Sequence, residues 1–140
     1  MDWQNEKCVI VVDEALPLGL LANTAAVLGM TLGKKLPEAI GPDVRDAGGN
    51  EHLGITAIPV PILRGDAETI KAIRCRLYEP EFADLTVVDF SDVAQSCNDY
   101  GEFVEKIGGT AEEELKYSGV AVCGAKKKVN KLTGSMPLLR

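Results

Sequence analysis

The sequence has few of the residues from which metal centres and aromatic binding surfaces are built. It contains one histidine, His52, and four cysteines, Cys8, Cys75, Cys97 and Cys123, none of them in a C-x-x-C pair. A Cys/His zinc cluster needs several ligands at close spacing, so we expect no metal site of that kind. Aromatic residues make up only 5% of the chain, which disfavours a platform on which single-stranded bases would stack.

The chain also lacks the marks of export or membrane insertion. Cys8 and Cys123 lie in apolar runs, where a free cysteine behaves as a small hydrophobe, and we interpret all four cysteines as reduced thiols. No basic segment followed by an apolar core opens the sequence. The longest apolar stretch, Leu16–Leu32, is interrupted by glycine, asparagine and threonine, so it is not expected to span a bilayer. These observations predict a cytoplasmic protein.

Common cofactor and nucleophile motifs are missing as well. No G-x-G-x-x-G follows the first predicted strand, and no G-x-S-x-G is present. The pattern Gly29-x-x-x-Gly33-Lys34 has the wrong spacing for a P-loop and closes a predicted helix, whereas a P-loop opens one. We therefore expect no cofactor. Any Ser/His or Cys/His catalytic pair would have to use His52, which we interpret as a loop histidine.

The charge of the chain is negative but uneven. The formal net charge is −6 and the pI about 4.8, whereas five of the fifteen basic residues lie in the last fifteen positions. An acidic protein is a poor partner for nucleic acid, so RNA binding is disfavoured. The basic terminus is compatible with a small or phosphate-bearing ligand, and equally with a solvated edge that keeps the protein soluble.

The order of apolar segments predicts an α/β fold. Lys7–Asp13, Leu85–Phe90 and Tyr117–Cys123 are short β-branched runs typical of buried strands. The segment Leu53–Leu63 contains Pro59 and Pro61, which suit an edge strand. Because these strands alternate with helical patterns, we predict a single domain over residues 1–140. Its architecture would be three-layer α/β/α around a mixed sheet of about four strands.

The helical patterns are marked by their end signals. We predict a helix over Leu18–Leu32 that ends at Gly33, and another over Asp66–Tyr78 with Asp66 as its N-cap. Ser91–Ser96 predicts a short helical turn and Asn98–Ile107 a helix. After the last strand, the sequence from Lys126 predicts a basic, polar loop.

Two regions hold candidate functional residues. Asp13 ends the first strand, and Asn23 and Thr24 are polar positions on an otherwise apolar helix. They indicate either a ligand contact or local hydrogen bonds. The loop PDVRDAGGNEH concentrates oxygen ligands between Asp43 and His52, which could hold a hard cation. We favour a solvated loop with Asx turns there.

Two blocks of the sequence resemble known families. The opening KCVIVVDEALPLGLLANTAAVLG and the ending VAVCGAKKKVNKLTGSMPLL are similar to the ends of the second class of peptidyl-tRNA hydrolase. The whole chain resembles more closely the uncharacterised bacterial DUF2000 family, through LANTAAVLG and VNKLTG. The resemblance implies a peptidyl-tRNA hydrolase 2-like fold and a functional cleft between the first helix and the closing loop.

The hydrolase pattern is only partly kept. Leu20 follows Gly19 where the hydrolase has a lysine, and Thr24 and Val27 replace its glutamine and histidine. In the closing segment Asn130 replaces an acid, whereas Lys131, Thr133 and Gly134 agree with the hydrolase. Most of the polar catalytic set is therefore missing, and a leucine cannot supply the charge of a lysine.

Three functional alternatives follow from the sequence. The first, which we favour, is a non-catalytic domain that binds a small or anionic ligand in the cleft. The residues expected to bind it are Gly19, Asn23, Thr24, Asn130, Lys131, Thr133 and Gly134. The second is a peptidyl-tRNA or other ester hydrolase with a rearranged catalytic set drawn from Asp13, Asn23, Asp46 and His52, together with Thr133. The third is a subunit whose Ala/Gly helix face mediates association, for example as a homodimer.

Overall fold

The computed structural model describes residues 2–140 and contains a four-stranded sheet with helices on both faces. The strands along the chain are β1 (Glu6–Asp13), β2 (Val44–Arg45), β3 (Glu51–His52), β4 (Ile62–Gly65), β5 (Thr86–Ser91) and β6 (Tyr117–Ala125). The main sheet has the order β4-β1-β6-β5, and β2 and β3 form a separate hairpin. β4 is parallel to β1, whereas β6 is antiparallel to both of its neighbours. The predicted α/β fold with a mixed four-stranded sheet is confirmed.

The helices divide between the two faces of the sheet. They are α1 (Leu18–Lys35), α2 (Ala67–Arg76), α3 (Asp92–Gln95), α4 (Tyr100–Gly108) and α5 (Lys126–Thr133). Alternate residues of a strand point to opposite faces, so Cys8, Ile10 and Val12 pack with Leu28 and Leu32 of α1. The intervening residues of β1, Val9 and Val11, pack with apolar residues of α2 and α5, namely Ile70, Ile73, Val129 and Leu132.

Local signals placed the helix starts well. Asp66 caps α2 by accepting a hydrogen bond from the backbone N–H of Thr69, as predicted. Ser91 and Asp99 cap α3 and α4 in the same way. The end of α1 was predicted wrongly: the helix continues through Gly33 to Lys35. Gly33 does not stop it because Leu32 and Leu36 are both buried and keep the last turn packed on the sheet.

The C-terminal segment is a helix, and the predicted basic loop is wrong. Val129, Leu132 and Thr133 are buried and lie at helical spacing. The three lysines that precede Val129 and the Asn-Lys-Leu-Thr-Gly sequence indicated a turn. Packing of this apolar stripe beneath β1 and β6 outweighs those local preferences.

The prolines before β4 explain the shape of that sheet edge. Pro59 and Pro61 precede the four-residue strand β4, which pairs with β1 on one side and, through an isolated bridge between Leu63 and Leu138, with residues near the C-terminus on the other. The predicted edge strand is therefore present, although it is shorter than Leu53–Leu63. Because proline cannot donate a ladder hydrogen bond, residues 57–60 form no strand, and the early part of β1 has no strand partner on that side.

Cys8 and Cys123 form a disulfide, so the interpretation of all four cysteines as reduced is wrong. The two residues stand opposite each other in the β1–β6 ladder, with their Cα atoms 4.1 Å apart. Sequence spacing gave no sign of this pair because 115 residues separate them. Cys75 and Cys97 are free thiols.

None of the helices formed by residues 2–140 is both long enough and apolar enough to cross a membrane.

Candidate functional site

The predicted cleft between the first helix and the C-terminal segment does not exist. Gly19, Asn23 and Thr24 lie on α1, which covers one face of the sheet, whereas Asn130, Lys131, Thr133 and Gly134 lie in or directly after α5 on the opposite face. The strands at the two ends of the chain do meet, as β1 and β6. The helices that follow them leave the sheet in opposite directions, so the seven predicted binding residues cannot line one pocket.

The residues of α5 are occupied by structural contacts. The buried Thr133 hydroxyl donates to the backbone carbonyl of Val129 (2.8 Å), and the Asn130 side chain accepts from Lys7 Nζ (2.8 Å). Lys131 forms an ion pair with Glu81 across the protein surface. Gly134 follows the helix directly, and its N–H donates to the carbonyl of Asn130.

On α1, Thr24 is also structural. Its hydroxyl donates to the carbonyl of Leu20 (2.7 Å), and only 1% of the residue is exposed. A Cβ placed on Gly119 of β6 would lie 2.7 Å from the Thr24 methyl group, so these two residues allow the helix to approach the sheet closely. Asn23 is exposed on the outer side of α1, and Gly19 lies in the first turn with open space around it.

Of the candidate catalytic residues, the structure brings together only Asp46 and His52. His52 Nε2 lies 2.9 Å from Asp46 Oδ2 in the β2–β3 hairpin, with both side chains substantially exposed. The Asp46 carboxylate also accepts from Gly48 and Asn50. These hydrogen bonds, above all that from His52, lower the pKa of Asp46 to about 2. Asp46 therefore organises a turn, as the solvated-loop interpretation predicted.

The remaining candidates do not join that pair. Asp13 accepts from the backbone N–H of Ala15 in a tight turn after β1, and Asn23 lies on the outer face of α1. Within residues 2–140 no group of three or more histidine, cysteine or carboxylate side chains is arranged to hold a metal ion.

A polar cluster lies on the other face of the sheet, between α2 and β6. Glu112 forms an ion pair with Lys71 Nζ (2.9 Å) and accepts from the Tyr117 hydroxyl (3.0 Å). The hydrogen bond from Lys71 lowers the pKa of Glu112. Burial, together with the hydrogen bond to Glu112, raises the pKa of Tyr117. Lys71 also donates to two backbone carbonyls. Because these groups satisfy one another, the cluster holds α2 against the sheet.

The site with the clearest capacity for a ligand is an apolar pocket beneath α1. Its volume is about 260 Å³, and it lies between α1, the early part of β1 and the segment that precedes β4. The lining residues are Cys8, Ile10, Gly29, Leu32, Gly33, Leu36, Ala39, Ile40, Thr56, Ile58, Val60 and Ile62. We call this the apolar pocket. Residues 57–60, which include Pro59, do not form a strand beside the early part of β1. The space between this segment and α1 is therefore not filled by a further strand of the sheet.

Two glycines of α1 form part of its wall. A Cβ built at Gly29 or at Gly33 meets no heavy atom within 4 Å. Glycine inside a helix costs about 1 kcal/mol relative to alanine, and neither position needs glycine to avoid a clash. Their effect on the structure is to leave free volume along this side of the helix. The sequence pattern predicted Gly33 as the end of the helix and indicated neither glycine as part of a pocket.

A second cavity adjoins the apolar pocket and has four polar residues among the eight that line it. Its volume is about 360 Å³, and it is lined by Trp3, Glu6, Lys7, Cys8, Ile58, Pro59, Lys126 and Asn130. Cys8 and Ile58 line both spaces. We call this second space the polar mouth. Within residues 2–140, neither Lys7 nor Lys126 forms an ion pair with a carboxylate.

Comparison with known proteins gives a family and a fold. A family model described as a protein of unknown function, DUF2000, matches residues 6–140. The solved structure of Atu0240 from Agrobacterium tumefaciens strain C58, titled a protein of unknown function, superposes with a TM-score of 0.87. The two sequences are 20% identical, and the match covers 97% of this chain and 98% of that one. No curated protein matches the chain.

Proposed function

The chain belongs to the DUF2000 family, described as proteins of unknown function, and from its geometry we propose that it binds a small apolar molecule without changing it chemically. The observation that carries the proposal is the apolar pocket, a space of about 260 Å³ between α1 and the segment before β4. This proposal keeps the ligand-binding alternative favoured by the sequence and moves it to a different place in the fold.

The walls of the apolar pocket match an apolar ligand. Apart from Thr56 and the disulfide-bonded Cys8, every residue that lines it is aliphatic or glycine. Binding pockets are lined mainly by apolar side chains, and an apolar ligand removed from water gains free energy in proportion to its buried area. A polar or charged ligand would lose its hydration in this space without gaining hydrogen bonds in return.

The same composition argues against catalysis in the pocket. Proton transfer and nucleophilic attack need a titratable or nucleophilic side chain within reach of the ligand. Two such side chains line the pocket: Cys8 has its sulfur in the disulfide with Cys123, and the Thr56 hydroxyl has no histidine, lysine or carboxylate beside it in the lining to activate it. We therefore propose a binding role and no reaction.

The volume sets the size of the ligand. An engineered apolar cavity of about 150 Å³ binds benzene. A pocket of about 260 Å³ therefore suits a molecule between one and two times the size of benzene, such as a two-ring aromatic compound or a medium-length aliphatic chain.

Naphthalene is a suitable neutral probe for a direct test. Titration followed by 1H–15N NMR should shift the amide signals of Gly29 and Gly33, and naphthalene should raise the melting temperature. The variant Gly33→Leu places a side chain in the free volume and should abolish binding. Gly19→Leu is the matched control, since Gly19 lies in the same helix, also has open space around it, and does not line the pocket.

The outcome of this test is decisive in both directions. Loss of binding in Gly33→Leu with retention in Gly19→Leu supports the pocket. If the wild-type protein does not bind naphthalene, or if Gly33→Leu binds it as well as wild type does, the proposed function is wrong.

The other two alternatives remain predictions. The peptidyl-tRNA hydrolase 2-like fold also stays a prediction. The hydrolase activity would need a catalytic set, and of the candidate residues only Asp46 and His52 meet, in an exposed turn. Turnover of peptidyl-tRNA by the purified protein is the test. Light scattering tests the homodimer. Cytoplasmic localisation also stays a prediction, and the Cys8–Cys123 disulfide removes one of the arguments for it.

A further inference from the structure

The polar mouth lies directly beside the apolar pocket. Cys8 and Ile58 belong to the walls of both spaces, so the two spaces meet at these residues. A ligand whose apolar part fills the pocket would place its other end near this shared boundary. The chemistry of the polar mouth then decides which end group is favoured.

Two ammonium groups dominate the polar mouth. Lys7 Nζ donates to the Asn130 side chain (2.8 Å), and Lys126 Nζ donates to the carbonyl of Gln4 (2.9 Å). An ammonium group has three N–H donors, so these contacts leave donors on both lysines. Both partners are neutral, which means that neither positive charge is neutralised by a carboxylate there.

Glu6 is the one acidic residue in the lining of the polar mouth. Its Oε2 atom is buried and has no hydrogen-bond partner. Two lysines and one glutamate leave a net positive charge in the cavity, and Glu6 weakens the attraction that the lysines exert on an anion.

We propose that the natural ligand is amphipathic, with an aliphatic body in the apolar pocket and an anionic oxygen head group, a carboxylate or a phosphate, between Lys7 and Lys126. This inference rests on the proposed function and adds the chemical class of the ligand to it. Charge-assisted hydrogen bonds from ammonium groups to such oxygens are the stronger kind of hydrogen bond in proteins. The aliphatic body supplies affinity, and the lysines supply selectivity for the head.

The test compares four eight-carbon probes that share one chain: octanoate, octyl phosphate, 1-octanol and octylamine. Dissociation constants are measured by titration calorimetry at low ionic strength. We expect the better of the two anions to bind at least tenfold more tightly than 1-octanol, and octylamine to bind more weakly than 1-octanol. Whichever anion binds more tightly identifies the head group. Added salt should weaken binding of the anions and leave that of 1-octanol unchanged.

Variants assign the selectivity to individual residues. Lys7→Met and Lys126→Met keep most of the aliphatic stem, and each should reduce the advantage of the anions over 1-octanol severalfold. Lys127→Met is the matched control, because Lys127 is in the same helix turn and does not line the polar mouth. Glu6→Gln should tighten anion binding severalfold and leave 1-octanol binding unchanged.

The probes separate failure of this inference from failure of the proposed function. If 1-octanol binds as tightly as both anions, the charged head group is wrong and the apolar pocket stands. If none of the four probes binds, the pocket itself is wrong. Equal losses in Lys127→Met and Lys126→Met would also overturn the inference, since the effect would then reflect net charge and not the polar mouth.

Discussion

Cys8 and Cys123 are paired across the two central strands and are joined by a disulfide. Because β1 and β6 carry the sequence from opposite ends of the chain, this bond closes a loop of 115 residues. Both residues are almost fully buried and belong to the core cluster beneath α1. Cys8 also lines the apolar pocket and the polar mouth, so the bond stabilises the wall of the proposed site.

Reduction of this bond should destabilise the protein. A disulfide that closes a loop of about 100 residues restricts the unfolded chain strongly, and we expect reduction to lower the free energy of unfolding by roughly 2–4 kcal/mol. Urea unfolding with and without a strong phosphine reductant measures the difference. Cys97→Ser, which changes a free thiol, is the control and should retain the full effect of reduction.

A thiol count provides a check on the bond itself. The denatured protein should show two reactive thiols before reduction and four afterwards, because only Cys75 and Cys97 are free. Four reactive thiols in protein that was never reduced would contradict the disulfide and the stability prediction together.

Two glycine substitutions should have opposite effects on stability. Gly29→Ala adds a methyl group in open space within a helix, so the free energy of unfolding should rise by about 0.5–1 kcal/mol. In Gly119→Ala, the new methyl group would lie 2.8 Å from the carbonyl oxygen of Val11 and 2.7 Å from the Thr24 methyl group. That variant should lose roughly 1–3 kcal/mol. Urea unfolding of both variants is the measurement, and a stable Gly119→Ala protein would disagree with the close packing of α1 on β6.

Thr133→Ala should affect stability and not binding. The substitution removes a buried methyl group and the hydroxyl that donates to Val129, so we expect a loss of roughly 1–2 kcal/mol. Affinity for naphthalene should stay at the wild-type value, because Thr133 lies on the face of the sheet opposite α1. Weaker naphthalene binding by a folded Thr133→Ala protein would instead support a binding site that includes Thr133, as the sequence predicted.

The Asp46–His52 contact should make the stability of the protein depend on pH in the acidic range. The pKa of Asp46 is lowered from 3.8 to about 2 in the folded protein, chiefly by the hydrogen bond from His52. A carboxyl group whose pKa is lowered by folding stabilises the protein above its unfolded pKa, and this stabilisation disappears as the pH falls through the folded pKa. The difference in stability between wild type and Asp46→Asn should therefore shrink as the pH falls from about 4 to about 2.

Carbon-detected NMR titration of the Asp46 carboxyl group measures the same effect directly. In His52→Ala the pKa of Asp46 should rise towards 3.8, because the largest contribution to its shift is lost. An unchanged pKa in that variant would show that Asn50 and Gly48 alone hold the carboxylate.

The accuracy of the sequence predictions differed between local and distant features. Asp66 was recognised as an N-cap because its partner, Thr69, is three residues away. The extended edge segment was recognised because proline restricts its own backbone. The helix at Lys126–Thr133 was missed, although Val129, Leu132 and Thr133 have helical spacing, because three lysines and an Asn-Lys-Leu-Thr-Gly sequence favour a turn locally.

The candidate site was harder to predict than the fold. The resemblance correctly indicated the DUF2000 family but placed the cleft between two segments that cover opposite faces of the sheet. The faces on which α1 and α5 lie depend on how the chain crosses the sheet, which no pattern within either helix records. Gly29, Gly33 and Ile58 come together only through folding, and none of them carries a chemical group that marks a site in the sequence.

The sequence alone determined the buried strands, the starts of α1 to α4 and the mixed character of the sheet, because hydrophobic periodicity, capping side chains and proline act over a few residues. Only the tertiary structure decided that Cys8 meets Cys123, that α1 and α5 lie on opposite faces, and that a space remains beneath α1. These features depend on contacts between residues far apart in the chain. Such contacts arise from the packing of whole elements against one another, after the local preferences have been satisfied.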